Sequence, residues 1–145
     1  MFLNLGVITT LIRKDNFIDG ISYGCRKTID LLSHIFEEVP CENINYIIKI
    51  TDIEATINTL HYFVKDIPDD NEADSLHIAL SNLNNIINEL TEILNAIKKK
   101  TEDHRMKYFA SYRSVSYLEE IDKLKTNIAI LHIRFDLLIK ILKKN

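Results

Sequence analysis

The sequence predicts an all-α protein, an antiparallel up-down-up-down four-helix bundle with a short extra helix in its third connector. Three observations carry that prediction. Apolar residues recur in steps of three and four along four successive segments, the spacing that lines one face of a helix. No segment shows the alternation of period two that a half-buried strand needs. And 145 residues contain only 3 Gly and 2 Pro, too little punctuation for a sandwich or barrel that turns every ten residues or so. A chain of this length is expected to form one domain, residues 1–145, around a single core.

The first helix is expected over residues 7–39, with Ile18, Ile21, Cys25, Thr28, Leu32, Ile35 and Val39 facing inward. Pro40 ends it, because the residue before a proline is driven out of the α region. Gly20 and Gly24, inside the helical pattern, suit close packing or a bend. The second helix is expected over 43–66, carrying Tyr46, Ile50, Ile53, Ile57, Leu60, Val64 and Ile67. Thr51 and Glu54 have the spacing of a capping box, but the apolar series runs through them, so one helix with a kink at most is expected. Pro68-Asp69-Asp70-Asn71 reads as a turn.

The third helix is expected over 72–100, with Leu76, Leu80, Leu83, Ile87, Leu90, Leu94 and Ile97 on its core face. Glu72 and Asp74 suit its N-terminal dipole, and Lys98, Lys99 and Lys100 its C-terminal end. Residues 101–115 form the connector, with one short helix over 102–112. Ser116 and Glu119 then read as a capping box opening the fourth helix, 116–143, whose core series is Ile121, Leu124, Ile128, Leu131, Phe135, Leu138 and Leu142. Ile86, Ile93, Ile130, Ile133, Leu137 and Ile141 widen the apolar stripes towards the face of a globular bundle. Short links imply antiparallel neighbours.

Composition narrows the function. With 18 Lys and Arg against 21 Asp and Glu, the net charge is −3, which lacks the basic excess of a general nucleic-acid binder; no nucleic acid is expected as a partner. The apolar fraction of 46% and charged fraction of 27% exclude a disordered chain. The apolar start, Met1 to Ile12, has no basic n-region and stops at Arg13 and Lys14, so neither a signal peptide nor a membrane span is expected. Cys25 and Cys41 do not make a disulfide framework and point to a reducing, cytoplasmic setting.

Chemical machinery is not expected. Asp74 with His77, and His34 with Glu37, stand three apart as in di-iron bundles, but inward Glu residues on the other helices are missing. Surface histidines with incidental neighbours are the plainer reading. Cys25 reads as a small core residue. No catalytic residue, metal or cofactor is therefore expected. Arg13, Lys14, Arg26, Lys27, Lys98, Lys99, Lys100, Arg105, Lys107 and Arg113 have two readings: solvated helix ends, or contacts to anionic lipid, each worth about 1 kcal/mol.

Two stretches carry a resemblance. In the first, Cys25-Arg26-Lys27 is followed by Ile29, Leu32 and Ile35. The second begins at Leu76 and Ala79-Leu80 and passes Lys107-Tyr108-Phe109-Ala110 and Tyr117-Leu118 to reach Leu124, Ile128 and Leu131. In that order they resemble the four-helix-bundle domain of the mixed lineage kinase domain-like pseudokinase. Its superfamily includes plant calcium-channel-type membrane proteins, the coiled-coil domains of helper plant immune receptors and fungal HeLo-type cell-death domains. The resemblance implies a non-enzymatic module of cell death or innate immunity. Such a module acts by self-association and by engaging or permeabilising anionic membrane, here through the apolar segment Phe2 to Ile12 and the basic residues near it; Gly6, Gly20 and Gly24 make the first helix the one expected to release. The alternative is a cytosolic adaptor that pairs with a kinase or receptor through a helical face. The chain departs from the killing domains in being net acidic, with few early cations, and in having no brace helices or kinase module among these residues; it reads as an excised domain or a stand-alone adaptor.

Overall fold

The computed structural model describes residues 13–39, 41–106 and 115–144. They form five helices: α1 Lys14–Glu38, α2 Glu42–Ile50, α3 Ile53–Lys65, α4 Asp74–Met106 and α5 Leu118–Lys144. No strand occurs among the described residues. The apolar segment 1–12, Pro40 and residues 107–114, including Lys107, Arg113 and the aromatic part of the connector, lie outside them.

The second expected helix is two. Asp52 adopts the left-handed conformation (φ 51°) and separates α2 from α3. The capping box does not form: the Thr51 hydroxyl donates instead to the Ile47 carbonyl at 2.6 Å. The break resets the register. Tyr46 and Ile50, expected inside, are 62% and 61% exposed, while Ile44, Ile47 and Ile48 are buried.

The third helix continues past Lys100 to Met106, so residues 102–106 extend α4 instead of starting a short helix of their own. No Gly or Pro interrupts 101–106. Thr101 is buried, donates to Ile97 O at 2.9 Å and shares a 2.6 Å hydrogen bond with the Tyr117 hydroxyl, giving the last turns a reason to persist. α5 begins at Leu118, with Tyr117 O accepting its first bond from Ile121 N–H. Ser116 therefore stands one residue too early to cap it, and Glu119 pairs with Lys123 at 2.8 Å.

Cross-helix contacts set the helix directions. Ser22 meets His61 and Lys14, at the start of α1, meets Pro68 just past the end of α3, so α1 and α3 run antiparallel; Arg134 reaches Asn82 O and Lys100 reaches Glu120, so α4 and α5 do too. Gly20 lies against Asn84 and Gly24 against Ile87, which makes α1 and α4 parallel neighbours. Phe63 packs edge-on against Phe135, ring centres 5.4 Å apart. No backbone approach within 8 Å joins α1 to α5 or α3 to α4. Chain order is thus not the order around the core: the link from α3 to α4 crosses a diagonal. Ile21, Cys25, Leu32 and Ile35 of α1, Leu76 through Ile97 of α4, and Ile121 through Leu138 of α5 share the interior with Ile44, Ile53, Ile57, Leu60 and Val64.

The two glycines differ in what surrounds them. A Cβ on Gly24 would lie 2.5 Å from Ile87 Cγ2, inside the core, whereas a Cβ on Gly20 would meet the swinging amide end of Asn84 at 2.7 Å. Gly24→Ala is expected to lower stability by about 1–3 kcal/mol through overpacking. Gly20→Ala is expected to be near neutral, because helix propensity gains about 1 kcal/mol. Parallel denaturant titrations of the two variants check the order.

Candidate functional site

Side chains capable of chemistry converge most closely in the cleft between α1 and α3, about 280 Å³ lined by Cys25, Arg26, Ile29, Asp30, Asn58, His61 and Tyr62. At its edge Ser22 Oγ lies 3.1 Å from His61 Nδ1, and Lys65 Nζ lies 3.2 Å from His61 Nε2. A lysine ammonium only donates, so Nε2 accepts and the ring proton sits on Nδ1, donating to Ser22. A base that already donates to the hydroxyl cannot take its proton; the pair is oriented against nucleophile activation. Partial burial, reinforced by the charges of Lys65 and Arg26, holds the His61 imidazole below its ordinary range. Burial pushes the Cys25 thiol up to about 12, so it stays protonated and packs as a small apolar residue.

Two other histidines lie beside acids: His77 lies 3.3 Å from Glu72, and His34 lies 4.0 Å from Glu102. Among the described residues no group of three His, Cys, Asp or Glu side chains could hold a metal.

The cations expected at a lipid surface have separate fates. Lys14 is only 3% exposed; its ammonium donates to the carbonyls of Pro68, Asp69 and Asn71 at 2.7, 3.0 and 3.0 Å, pinning the α3–α4 link to the start of α1. It is a structural lysine, not a surface contact. Lys100 is spent between helices, pairing with Glu120 and donating to Ser116 O at 2.9 Å. Arg105 binds the Glu38 carboxylate at 2.7 Å and also the Glu38 carbonyl, holding that carboxyl below the usual range. Each of these three cations lies beside an acid or carbonyl of another segment of the chain. Arg13, Arg26, Lys27 and Lys99 are exposed and Lys98 is partly so, scattered from the start and middle of α1 to the later turns of α4. No described helix is long and apolar enough to cross a membrane.

A surface missed from sequence lies on the outside of α5. Ile133 is 66% and Leu137 49% exposed, with Ile130 and Ile141 partly buried beside them. Both outer residues were expected to widen the core stripe, but α4 and α3 already cover the face of Ile121 through Leu138. What remains is a second stripe in steps of four and three: Glu119, Lys123, Thr126, Ile130, Ile133, Leu137, Lys140 and Lys144. The signal was present in the sequence as two interleaved apolar periods on one helix, one more than a single core needs.

Two outcomes follow from these placements. Lys14→Met, which keeps the stem and removes the donors, is expected to cost about 1–3 kcal/mol in a denaturant titration, with Arg13→Met unchanged. His61 is neutral in the folded chain where an unfolded histidine protonates, so its contribution is whole above the ordinary value of about 6.5 and is lost as pH falls through the lower folded value. Lys65→Ala is expected to raise the His61 midpoint, read from its imidazole resonances.

Compared with known protein families, characterised proteins and solved structures, the chain matches none.

Proposed function

We propose that this chain is a non-enzymatic four-helix-bundle module of the cell-death and innate-immunity effector type, working by association through the outer face of α5. The carrying observation is the exposed pair Ile133 and Leu137 in a heptad-spaced stripe that the bundle's own core leaves unused. Singly scattered apolar residues on a surface are ordinary, but an aligned stripe along one helix is the feature that a partner helix packs on. The inward-facing polarity of the Ser22–His61 pair and the internal use of Lys14, Lys100 and Arg105 also favour docking over chemistry or a purely electrostatic lipid contact. The sequence resemblance supplies the effector class. A cytoplasmic chain, recruited to its partner or to membrane, fits this reading.

A second reading rests on the connector end. Met106 and Leu118, 87% and 74% exposed, bracket the connector, with Lys98 and Lys99 nearby in sequence. An apolar pair among cations suits peripheral contact with anionic lipid.

One experiment separates them. Sedimentation of the whole chain over a wide concentration range, with and without anionic phosphatidylserine vesicles, is compared with Ile133→Lys/Leu137→Lys. Loss of association in the variant, with an unchanged melting curve, is the expected result. Unaltered behaviour of the variant, or no association by the native chain in either arm, overturns the α5 reading. Vesicle binding that survives in the variant and disappears in Lys98→Glu/Lys99→Glu favours the connector end.

A further inference from the structure

We infer that the outer cleft of the α4–α5 seam is a binding site for a linear aliphatic polyamine, with an ammonium held at each end of the cleft and methylenes lying between. The inference goes beyond the docking role of α5 and uses neither Ile133 nor Leu137.

Two buried acceptors carry it. The cleft, about 560 Å³, has Glu120 and Asn127 in its α5 wall. Glu120 is only 9% exposed. Its Oε1 is taken by Lys100, which lines the neighbouring cleft on the connector side. Oε2 is the oxygen left to the α4–α5 cleft, and no donor among the described residues reaches it. Asn127 repeats the pattern. Its Nδ2 donates to Lys123 O at 2.7 Å, which fixes the orientation of the amide and leaves Oδ1 buried with no donor among the described residues. Orphaned buried acceptors are rare in a folded chain, and two in one cleft call for donors from outside it.

Charge and spacing select those donors. Glu89 and Glu92, in the α4 wall, are exposed and form no ion pair among the described residues. Lys123 also lines the cleft, but Glu119 holds it at 2.8 Å. Water would leave this acidic excess unmatched, whereas an ammonium brings a charge and three donors. Glu120 and Asn127 are seven residues apart on α5, about 10 Å along the axis, so one ammonium or one metal ion cannot meet both. The α4 wall follows the same division. Asn127 lies midway between the Lys100–Glu120 and Arg134–Asn82 contacts, level with the turn that carries Glu89 and Glu92. Apolar Ile93 and Ala96 fill the wall between that turn and Lys100, which suits methylenes better than a hydrated ion. A lysine side chain from a partner protein would bring only one ammonium; a polyamine brings two or more on one chain.

Calorimetric titration of the whole chain with spermidine at low salt tests the site. Saturable one-to-one binding is expected, with butylammonium, which has a single ammonium, at least about ten-fold weaker. Asn127→Leu is expected to weaken spermidine about ten-fold, through loss of a hydrogen bond to a charged donor, and Glu89→Gln/Glu92→Gln about five-fold. Lys123→Met is expected to tighten it, because the cleft loses its own cation. Glu120→Gln is expected to weaken it as well; since that change also alters the Lys100 pair, melting curves accompany it, and the exposed Glu89/Glu92 variant carries the test should it fail to fold. Asp69→Asn/Asp70→Asn, in the α3–α4 link, measures the attraction of a polycation to any acidic surface and is expected to change nothing. No saturable binding by the native chain overturns the site, and so does an equal loss in the Asp69/Asp70 variant. Butylammonium or magnesium binding as tightly as spermidine overturns the two-ended polyamine. None of these failures touches the Ile133–Leu137 reading, which is read by sedimentation of a different variant.

Discussion

The fold depends on the close, parallel approach of α1 and α4. Gly24 brings the backbone of α1 so near Ile87 that an added Cβ would fall 2.5 Å from its methyl. Two parallel helices gain nothing from their aligned dipoles, which repel side by side, so apolar contact at this seam must outweigh that term. Having α1 and α4 as neighbours forces the rest: α3 takes the other flank of α1, α5 the other flank of α4, and the α3–α4 link must cross the diagonal. Lys14 then answers the problem that crossing creates. Three link carbonyls accept from one buried ammonium, meeting the demand that a buried charge be hydrogen-bonded.

What the sequence could and could not reveal divides along physical lines. On α4 the series from Leu76 to Ile97 could be read because one uninterrupted helix keeps a constant phase. Tyr46 and Ile50 misled because phase does not survive a break, and the break at Asp52 comes from backbone conformation, which apolar spacing does not encode. The end of α4 was hidden for a different reason: three lysines resemble a C-terminal signal, but buried Thr101 and its bond to Tyr117 carry the helix on. The neighbour relations were out of reach too, since periodicity says which face is inward and nothing about which helix it meets.

The candidate surface shows the same division. Its apolar members were visible, yet they were counted towards a core that had no room for them. Lys14, Lys100 and Arg105 were visible as cations, while their partners, Pro68, Glu120 and Glu38, lie 54, 20 and 67 residues away. A charge without its partner looks free in a sequence. In the folded chain these three are fasteners.

The diagonal link also governs how this polypeptide comes together as it is made. Lys14 must wait for carbonyls 54 to 57 positions later, and the glycine seam of α1 for a helix later still. Until α4 has emerged, α1 has only α2 and α3 to cover it, and the side meant for Ile87 stays wet. Local closure is available to α4 with α5, whose hairpin needs a much shorter excursion. Pairing α1 with α4 is thus a longer-range closure than pairing α4 with α5 across the connector.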